Sequence, residues 1–373
     1  MGSSRVDLLK NIALSLVSTL VLLFLIEMVL RVTEVVPVRT LEYATPALWN
    51  VNPGPLFPGQ SFTDRFKRSL PFRVTVDNLG FRGVKNIQFQ KAPGTLRVLC
   101  LGDSYTFGAY VDDGETWPAQ LETILREDRP ERPVEVINAG ISGFTILDEL
   151  QFFKEHGESL KPDVVVVGFV LNDLADLTRR VSSREMLKIA SVEGSRPPLG
   201  PVKARLRQTA IYNAMFMMKA WLRKTTGNDP TIQEVDIRHL LKPVYDQETL
   251  DLFDRYRGHL AELKSILDRD GTPLVLMIFP YWEQVSRNAT DQAQQRLIAM
   301  AKELNIPTLD LLPSYRQYDP RGRKFFHMPW DHHPSARGYR RAARELAATV
   351  EPLLFVDTRP AGARPAGAAA PAH

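Results

Sequence analysis

Residues 96–108 have the sequence Leu-Arg-Val-Leu-Cys-Leu-Gly-Asp-Ser-Tyr-Thr-Phe-Gly, which is the most informative stretch of the chain about its fold. Its first half is a short run of β-favouring apolar residues that stops at Gly102-Asp103-Ser104, which predicts a strand followed by a turn. Open α/β folds bind their ligands at the carboxyl ends of parallel strands. The pattern therefore places Ser104 at the ligand-binding edge of a sheet, where we expect it to act as a nucleophile.

Beyond this stretch, short apolar segments alternate with longer amphipathic ones. The segments that predict strands are 97–101, 134–138, 164–169, 273–279 and 308–311, and those that predict helices are 117–127, 146–156, 250–270, 291–304 and 335–353. Residues 164–167 are four consecutive valines, apolar on both faces, as expected of a central parallel strand covered by helices. This alternation predicts an α/β fold with a doubly wound parallel sheet.

Three further motifs follow predicted strands or precede the last helix. They are Asn138-Ala139-Gly140-Ile141-Ser142-Gly143, Leu171-Asn172-Asp173 and Trp330-Asp331-His332-His333-Pro334. Together with Gly102-Asp103-Ser104, their order resembles the four blocks of the GDSL/SGNH hydrolase family, over about residues 78–350. The resemblance implies a three-layer α/β/α sandwich with a five-stranded parallel sheet, and acyl transfer through a serine without metal or cofactor.

Nucleophilic attack by Ser104 requires a base, and a neutral imidazole can accept the hydroxyl proton near pH 7. The resemblance implies that His333, which precedes Pro334, is this base and that Asp331 holds its other ring nitrogen. The family usually has the acidic residue three positions before the histidine, where Trp330 stands in this chain. His332 offers the same chemistry and is the alternative base, whereas we expect His327 to be structural.

The resemblance also implies the donors that would stabilise an oxyanion. These are the backbone N–H groups of Ser104 and Gly143, with Gly140 as the alternative glycine, and the side-chain amide of Asn172. Each residue has a simpler interpretation, because a glycine can serve a turn and an asparagine can cap a helix. We expect Asp103 to brace the nucleophile loop, and Asp173 to cap or brace the asparagine.

Composition excludes several classes of function. Cys100 is the single cysteine, so an intramolecular disulfide and a multi-cysteine metal site are both excluded. Asp331, His332 and His333 lack a further ligand at suitable spacing, so we expect no metal. The formal net charge is +4, but acidic and basic residues are interspersed, which gives no support to nucleic-acid binding.

The amino terminus predicts a membrane anchor. A short segment, 1–10, precedes residues 11–32, in which the stretch from Ile12 to Leu30 is almost continuously apolar. As a helix, this stretch is about as long as the hydrocarbon core of a bilayer is thick. A cleaved signal peptide and a buried core helix are the alternatives. Arg31 and Arg39 nearly balance Arg5 and Lys10, so charge does not decide the orientation. We expect a single-pass protein of the cell inner membrane with its large domain in the periplasm or outside the cell.

The rest of the chain divides around the hydrolase domain, which we place at 93–356. Before it lies a lead-in, 33–92, with a hairpin-like pair of strands and an Arg82 to which we assign no chemistry. Within the hydrolase domain, residues 174–245 form an insertion that contains a Met-rich amphipathic helix, 210–223. We expect this helix to pack on the main domain, and a lid, a membrane-contacting patch or a docking face are the alternatives. The Ala-, Pro- and Gly-rich tail, 357–373, predicts disorder.

These features together predict an anchored serine esterase or O-acyltransferase. We expect its substrate to be an ester, in particular an acylated glycan with acetyl groups, and its partner to be an integral-membrane acyltransferase. A lipase or phospholipid esterase is one alternative. A non-catalytic module that binds a glycan or a partner protein on the same fold is the other.

Overall fold

The computed structural model describes residues 3–33, 61–65, 71–178, 209–212, 214–215, 218, 237–287, 289–327 and 332–355. Its strands are β1 (Ser61–Arg65), β2 (Pro71–Thr75), β3 (Leu96–Gly102), β4 (Val134–Asn138), β5 (Val164–Phe169), β6 (Leu274–Ile278) and β7 (Thr308–Asp310). Its helices are α1 (Ser3–Thr33), α2 (Ser104–Phe107), α3 (Trp117–Asp128), α4 (Ile146–Phe152), α5 (Leu171–Asp176), α6 (Gln247–Arg269), α7 (Trp282–Ser286), α8 (Gln292–Glu303), α9 (Leu312–Tyr318) and α10 (Ala336–Leu354).

The main sheet has five parallel strands in the order β4-β3-β5-β6-β7. This confirms the predicted parallel sheet. The chain leaves β3 for β4 on one side and then crosses to β5 on the other, so the strand order reverses at β3. Ligands of such sheets bind at this reversal, beside the carboxyl end of β3. A separate two-stranded antiparallel sheet, formed by β1 and β2, lies in the lead-in segment.

Helices cover both faces of the main sheet. Successive side chains of a strand point to opposite faces, so Val98 and Cys100 of β3 contribute to one apolar cluster and Leu99 and Leu101 to the other. The first cluster includes side chains of α3 and α10, and the second includes those of α4, α6 and α8. The result is the predicted three-layer α/β/α sandwich, with Cys100 fully buried inside it.

Several helices differ from the sequence-based expectation. The helix predicted over 146–156 is α-helical only to Phe152 and continues as a π-helical turn, Phe153–Gly157. In that turn a side chain at Gly157 would lie 2.3 Å from the Phe153 ring, so the close approach requires glycine. The helices α7 and α9 are absent from the prediction, because five and seven residues are too few to show a helical period.

The amino-terminal helix α1 contains one candidate membrane span, Lys10–Thr33, with a mean hydropathy of 2.5. None of the side chains in this span is buried against the rest of the protein. In the part of the chain that the structure describes, it is the one helix long and apolar enough to cross a bilayer. Asp331, the tail 357–373 and most of the insertion 174–245 lie outside the described residues.

Arg82, in the lead-in segment, is buried rather than exposed on the surface, with its side chain 1% accessible. Its Nε donates to the Asp113 carboxylate at 3.1 Å. Its two terminal nitrogens donate to four backbone carbonyls, those of Arg73, Phe107, Gly108 and Val111. Arg82 therefore fixes the chain at the end of α2, the short helix that begins with Ser104.

We expect the substitution Arg82→Met to lower the free energy of unfolding by about 3 kcal/mol or more, because it leaves Asp113 and several carbonyls buried without a donor. The matched control is Arg257→Met, which removes an exposed ion pair with Glu303 and should cost less than about 1 kcal/mol. Urea unfolding of the three proteins measures both effects. Equal losses in the two variants would show that Arg82 does not organise this region.

A group of buried acids lies on α4 and α5, under the carboxyl edge of the sheet. Glu149 and Asp173 are 2% and 1% exposed, and Tyr256 of α6 is buried near them. Burial raises the pKa of both carboxyls well above their ordinary values, and the neighbouring Asp103 carboxylate raises them further. Among the described residues, Glu149 Oε2 and Asp173 Oδ1 are buried without a hydrogen-bond partner.

A raised pKa in the folded state means that the folded protein keeps a proton that the unfolded chain releases above its ordinary pKa of 4.5. Stability from this group is therefore present at low pH and is lost as pH rises toward the folded-state pKa. We expect Glu149→Gln to gain stability relative to the wild type between pH 5 and pH 8 in urea unfolding. The exposed control Glu303→Gln should show no such trend, and a pH-independent difference for Glu149→Gln would contradict the expectation.

Candidate active site

The end of β3 presents Ser104 at the first position of α2. The chain turns sharply here and brings Thr106 close to Gly102. A side chain at Gly102 would lie 2.1 Å from the Thr106 hydroxyl oxygen, so the turn requires glycine. Asp103 precedes the helix and its Oδ1 accepts the Tyr105 backbone N–H at 2.8 Å. The turn leaves Ser104 half-buried at the carboxyl edge of the sheet, where open α/β folds bind ligands.

His333 lies at the end of a loop whose two stems pair with each other. Phe326 and Pro334 form a β-bridge, and the His327 N–H donates to the His333 carbonyl at 3.0 Å. On one side the Asp319 carboxylate accepts the backbone N–H groups of residues 323–325. On the other side Ser335 caps α10. His333 is therefore held by backbone contacts on both sides.

The structure brings Ser104 and His333 together, with Oγ and Nε2 2.8 Å apart. A proton on Nδ1 of His333 leaves Nε2 as the acceptor for the Ser104 hydroxyl. Asp331, the expected partner of Nδ1, lies outside the described residues. The remaining hydrogen-bond partner near Ser104 is Asp103, whose Oδ2 is 3.2 Å from Oγ.

His332, the alternative base, occupies a different position. Its ring stacks on Tyr281 with centroids 5.1 Å apart, and its Nδ1 is 3.5 Å from the Glu283 carboxylate. Its backbone carbonyl accepts the Tyr105 hydroxyl at 2.9 Å. The histidine hydrogen-bonded to Ser104 is therefore His333.

Asn172 lies at the start of α5, after the neighbouring strand β5. Its Nδ2 donates to Asp103 Oδ2 at 2.9 Å, so the carboxylate links Asn172 to Ser104. A primary amide carries a second N–H, which remains for a ligand at the same edge. Asp173 Oδ2 accepts the Val170 N–H at 3.0 Å, which holds the first turn of α5.

The two candidate glycines have different surroundings. The Gly140 N–H donates to the Asn138 side chain at 3.1 Å, and a side chain at Gly140 would lie 2.3 Å from the Phe107 backbone nitrogen. Gly140 therefore serves close packing against α2. Gly143 has φ +82°, and open space surrounds the position of a side chain there. Its positive φ suits glycine and leaves that side of the loop open to a ligand.

Asp103 is fully buried, and burial raises the pKa of its carboxyl. Hydrogen bonds from the Asn172 amide and the Tyr105 backbone N–H act in the opposite direction and favour the carboxylate, as does a positive charge on His333 once that ring has accepted a proton. A negative Asp103 next to Ser104 would also stabilise an imidazolium at His333.

Two tyrosines pack near the His333 ring, and the sequence motifs do not indicate this role. The rings of Tyr105 and Tyr110 lie 5.1 and 5.2 Å from the His333 ring, on centroids, and limit its movement. Their contacts depend on the loop that carries His333, which is 229 residues from Ser104 in the chain.

In the described ranges, no group of three or more His, Cys, Asp or Glu side chains could hold a metal ion.

Solved structures that resemble the chain include several hydrolases. An α/β hydrolase, LAE5, from the metagenome of Lake Arreo, Spain, is 17% identical with a TM-score of 0.42, covering 71% of this chain and 98% of its own. A mutant of the acetyl-xylooligosaccharide esterase Axe2 from Geobacillus Stearmophilus is 21% identical with a TM-score of 0.40, and the match covers 71% of this chain and 97% of the esterase. A two-domain esterase, CEX, active on acetylated mannans, is 15% identical with a TM-score of 0.41, and the match covers 73% of this chain and 53% of the esterase. Likeness at this level carries no argument about function.

A search of curated proteins finds no match to the chain. The model of the GDSL-like lipase/acylhydrolase family matches residues 100–341. This range includes Ser104, Gly143, Asn172 and His333, and it spans well over half of the chain. The match confirms the resemblance seen in the sequence motifs, and the chain belongs to the GDSL-like lipase/acylhydrolase family.

Proposed function

We propose that this protein is a membrane-anchored serine esterase that acts on short acyl esters, acetyl esters above all, of an envelope or secreted polysaccharide. The observation that carries the proposal is the 2.8 Å contact between Ser104 Oγ and His333 Nε2 at the carboxyl edge of the sheet. A hydroxyl paired with an imidazole in this way is the arrangement that activates a serine nucleophile.

In the first step, Ser104 Oγ attacks the ester carbonyl carbon while its proton passes to His333 Nε2. The carbonyl oxygen becomes an oxyanion, for which we assign the backbone N–H groups of Ser104 and Gly143 and the Asn172 amide as donors. As the C–O bond to the alcohol breaks, His333 returns the proton to the leaving oxygen. An acyl group then remains on Ser104.

In the second step, water gives a proton to His333 and attacks the acyl carbon. As the bond from the acyl carbon to Ser104 Oγ breaks, His333 returns the proton to Oγ, which releases the carboxylic acid and restores Ser104 and the neutral imidazole. A sugar hydroxyl in place of water would make the same protein an O-acyltransferase. We assign Asp331 as the residue that holds Nδ1 of His333, and Asp103 as the residue that orients Asn172 and Ser104. No metal or cofactor enters either step.

The length and hydropathy of α1 support a membrane location. We propose that its span of 24 residues crosses the inner membrane once, with the amino terminus in the cytoplasm and the hydrolase domain in the periplasm or outside the cell. An enzyme held there would meet acylated envelope glycans. An integral-membrane acyltransferase is the partner that we propose as the source of acyl groups if transfer is the reaction.

The test compares the full-length protein in detergent with three alanine variants, at Ser104, His333 and His332, on p-nitrophenyl acetate, butyrate and octanoate. We expect Ser104→Ala and His333→Ala each to lower kcat about 10⁴-fold or more, because each removes one half of the activated pair. The matched control His332→Ala should stay within about tenfold of the wild type. Acetate should be the best of the three substrates.

Other outcomes have defined meanings. A preference for octanoate would show a lipase rather than a short-acyl esterase. If the wild type were no faster than Ser104→Ala on every ester, and on acetylated xylan, then the proposed esterase function would be wrong. A loss of activity in His332→Ala equal to that in His333→Ala would contradict the assignment of the base.

A further inference from the structure

The membrane helix α1 makes a direct contact with the Met-rich segment of the insertion. The carboxylate of Glu27 accepts two backbone N–H groups, that of Ala210 at Oε1 and that of Ile211 at Oε2, both at 2.9 Å. Arg31, one turn along α1, donates to the same carboxylate at 2.7 Å. The two ends of this contact are 183 and 184 residues apart in the chain.

The contact lies where a helical stretch begins. The described residues from Ala210 to Met218 are helical, and the Thr209 hydroxyl accepts the Tyr212 N–H at 3.2 Å. The first N–H groups of a helix have no partner inside the helix, and a negative charge there is favourable. Ala210 is fully buried, so this end of the stretch packs closely.

The position of Glu27 sets the depth of this stretch. Glu27 is six residues before Thr33, the end of the 24-residue span, which corresponds to about 9 Å along the helix. The hydrocarbon core of a bilayer is about 30 Å thick, so the contact falls near the boundary between hydrocarbon and headgroups. A carboxylate at that depth is costly unless it is paired, and Arg31 and the two N–H groups supply the partners.

The side chains farther along the stretch suit the same boundary. Met215 and Met218 are three residues apart on one helical face, and they are 61% and 57% exposed. Methionines left uncovered by the protein would be buried by lipid at this depth. The Met-rich segment was expected to pack on the main domain, and this observation favours a different arrangement.

We propose that the described helical residues between Ala210 and Met218 lie at the membrane interface, where Glu27 docks them onto the anchor and Met215 and Met218 insert into the outer edge of the lipid bilayer. The proposal rests on the membrane anchoring of the proposed function and does not depend on the reaction. It gives the insertion a role in holding the enzyme at the lipid surface.

The test uses the full-length protein, with Cys100 replaced by alanine, in phosphatidylcholine nanodiscs. Single cysteines at Met215, Met218, Leu20 of the anchor and Ile298 of α8 carry a fluorophore, and quenching by doxyl lipids is compared with quenching by aqueous iodide. Ile298 is the matched control, an exposed apolar residue on the hydrolase domain. We expect the labels at 215 and 218 to be quenched by doxyl lipid like that at 20, and the label at 298 by iodide.

The substitution Glu27→Ala should reduce doxyl quenching at position 215 at least twofold and increase iodide quenching, while turnover of a soluble acetyl ester stays unchanged. Labels at 215 and 218 quenched by iodide like that at 298, or shielded from both quenchers by protein, would overturn the proposal. An unchanged label at 215 in Glu27→Ala would overturn the docking role of Glu27. A label at 20 outside the lipid would overturn the anchor itself, whereas an inactive esterase would leave these quenching results intact.

Discussion

The hydrogen bond between Ser104 and His333 joins two residues 229 positions apart, and the arrangement of the site depends on it. One partner comes from the turn after a central strand and the other from a loop before the last helix. A contact of 2.8 Å between such distant segments requires that both be held by their surroundings. The structure supplies this with backbone hydrogen bonds and a few buried charges.

Buried charges hold the two segments in different ways. Arg82 donates to four carbonyls around the chain that leaves α2, and Asp319 accepts three N–H groups at the start of the His333 loop. Asp103 joins the nucleophile turn to Asn172 on the neighbouring strand end. Backbone groups are the main partners of Arg82 and Asp319, whereas Asp103 accepts one backbone N–H and is bonded to the side chain of Asn172. The buried carboxyls of Glu149 and Asp173, near Asp103, favour folding only while they are protonated.

Much of the fold could be predicted from the sequence, because β3 and the valine-rich β5 are apolar on both faces and end in distinct polar motifs. The same logic placed Ser104, Gly143 and Asn172 at one edge, since parallel strand ends meet there. The role of Arg82 could not be predicted, because all but one of its partners are backbone carbonyls, which leave no pattern in the sequence. The contact of Glu27 with Ala210 was equally hidden, because it joins segments 183 residues apart. The preference for His333 over His332 rested on its position before Pro334, and the structure shows that the His333 ring faces Ser104.

In the proposed function, His333 activates Ser104 as a nucleophile. The most direct test treats the full-length wild type and His333→Ala with a fluorophosphonate, which forms a stable P–O bond to an activated serine and releases fluoride. We expect peptide mapping by mass spectrometry to find one phosphonyl group on Ser104 in the wild type and almost none in His333→Ala. Labelling at another residue, or equal labelling of Ser104 in both proteins, would contradict it.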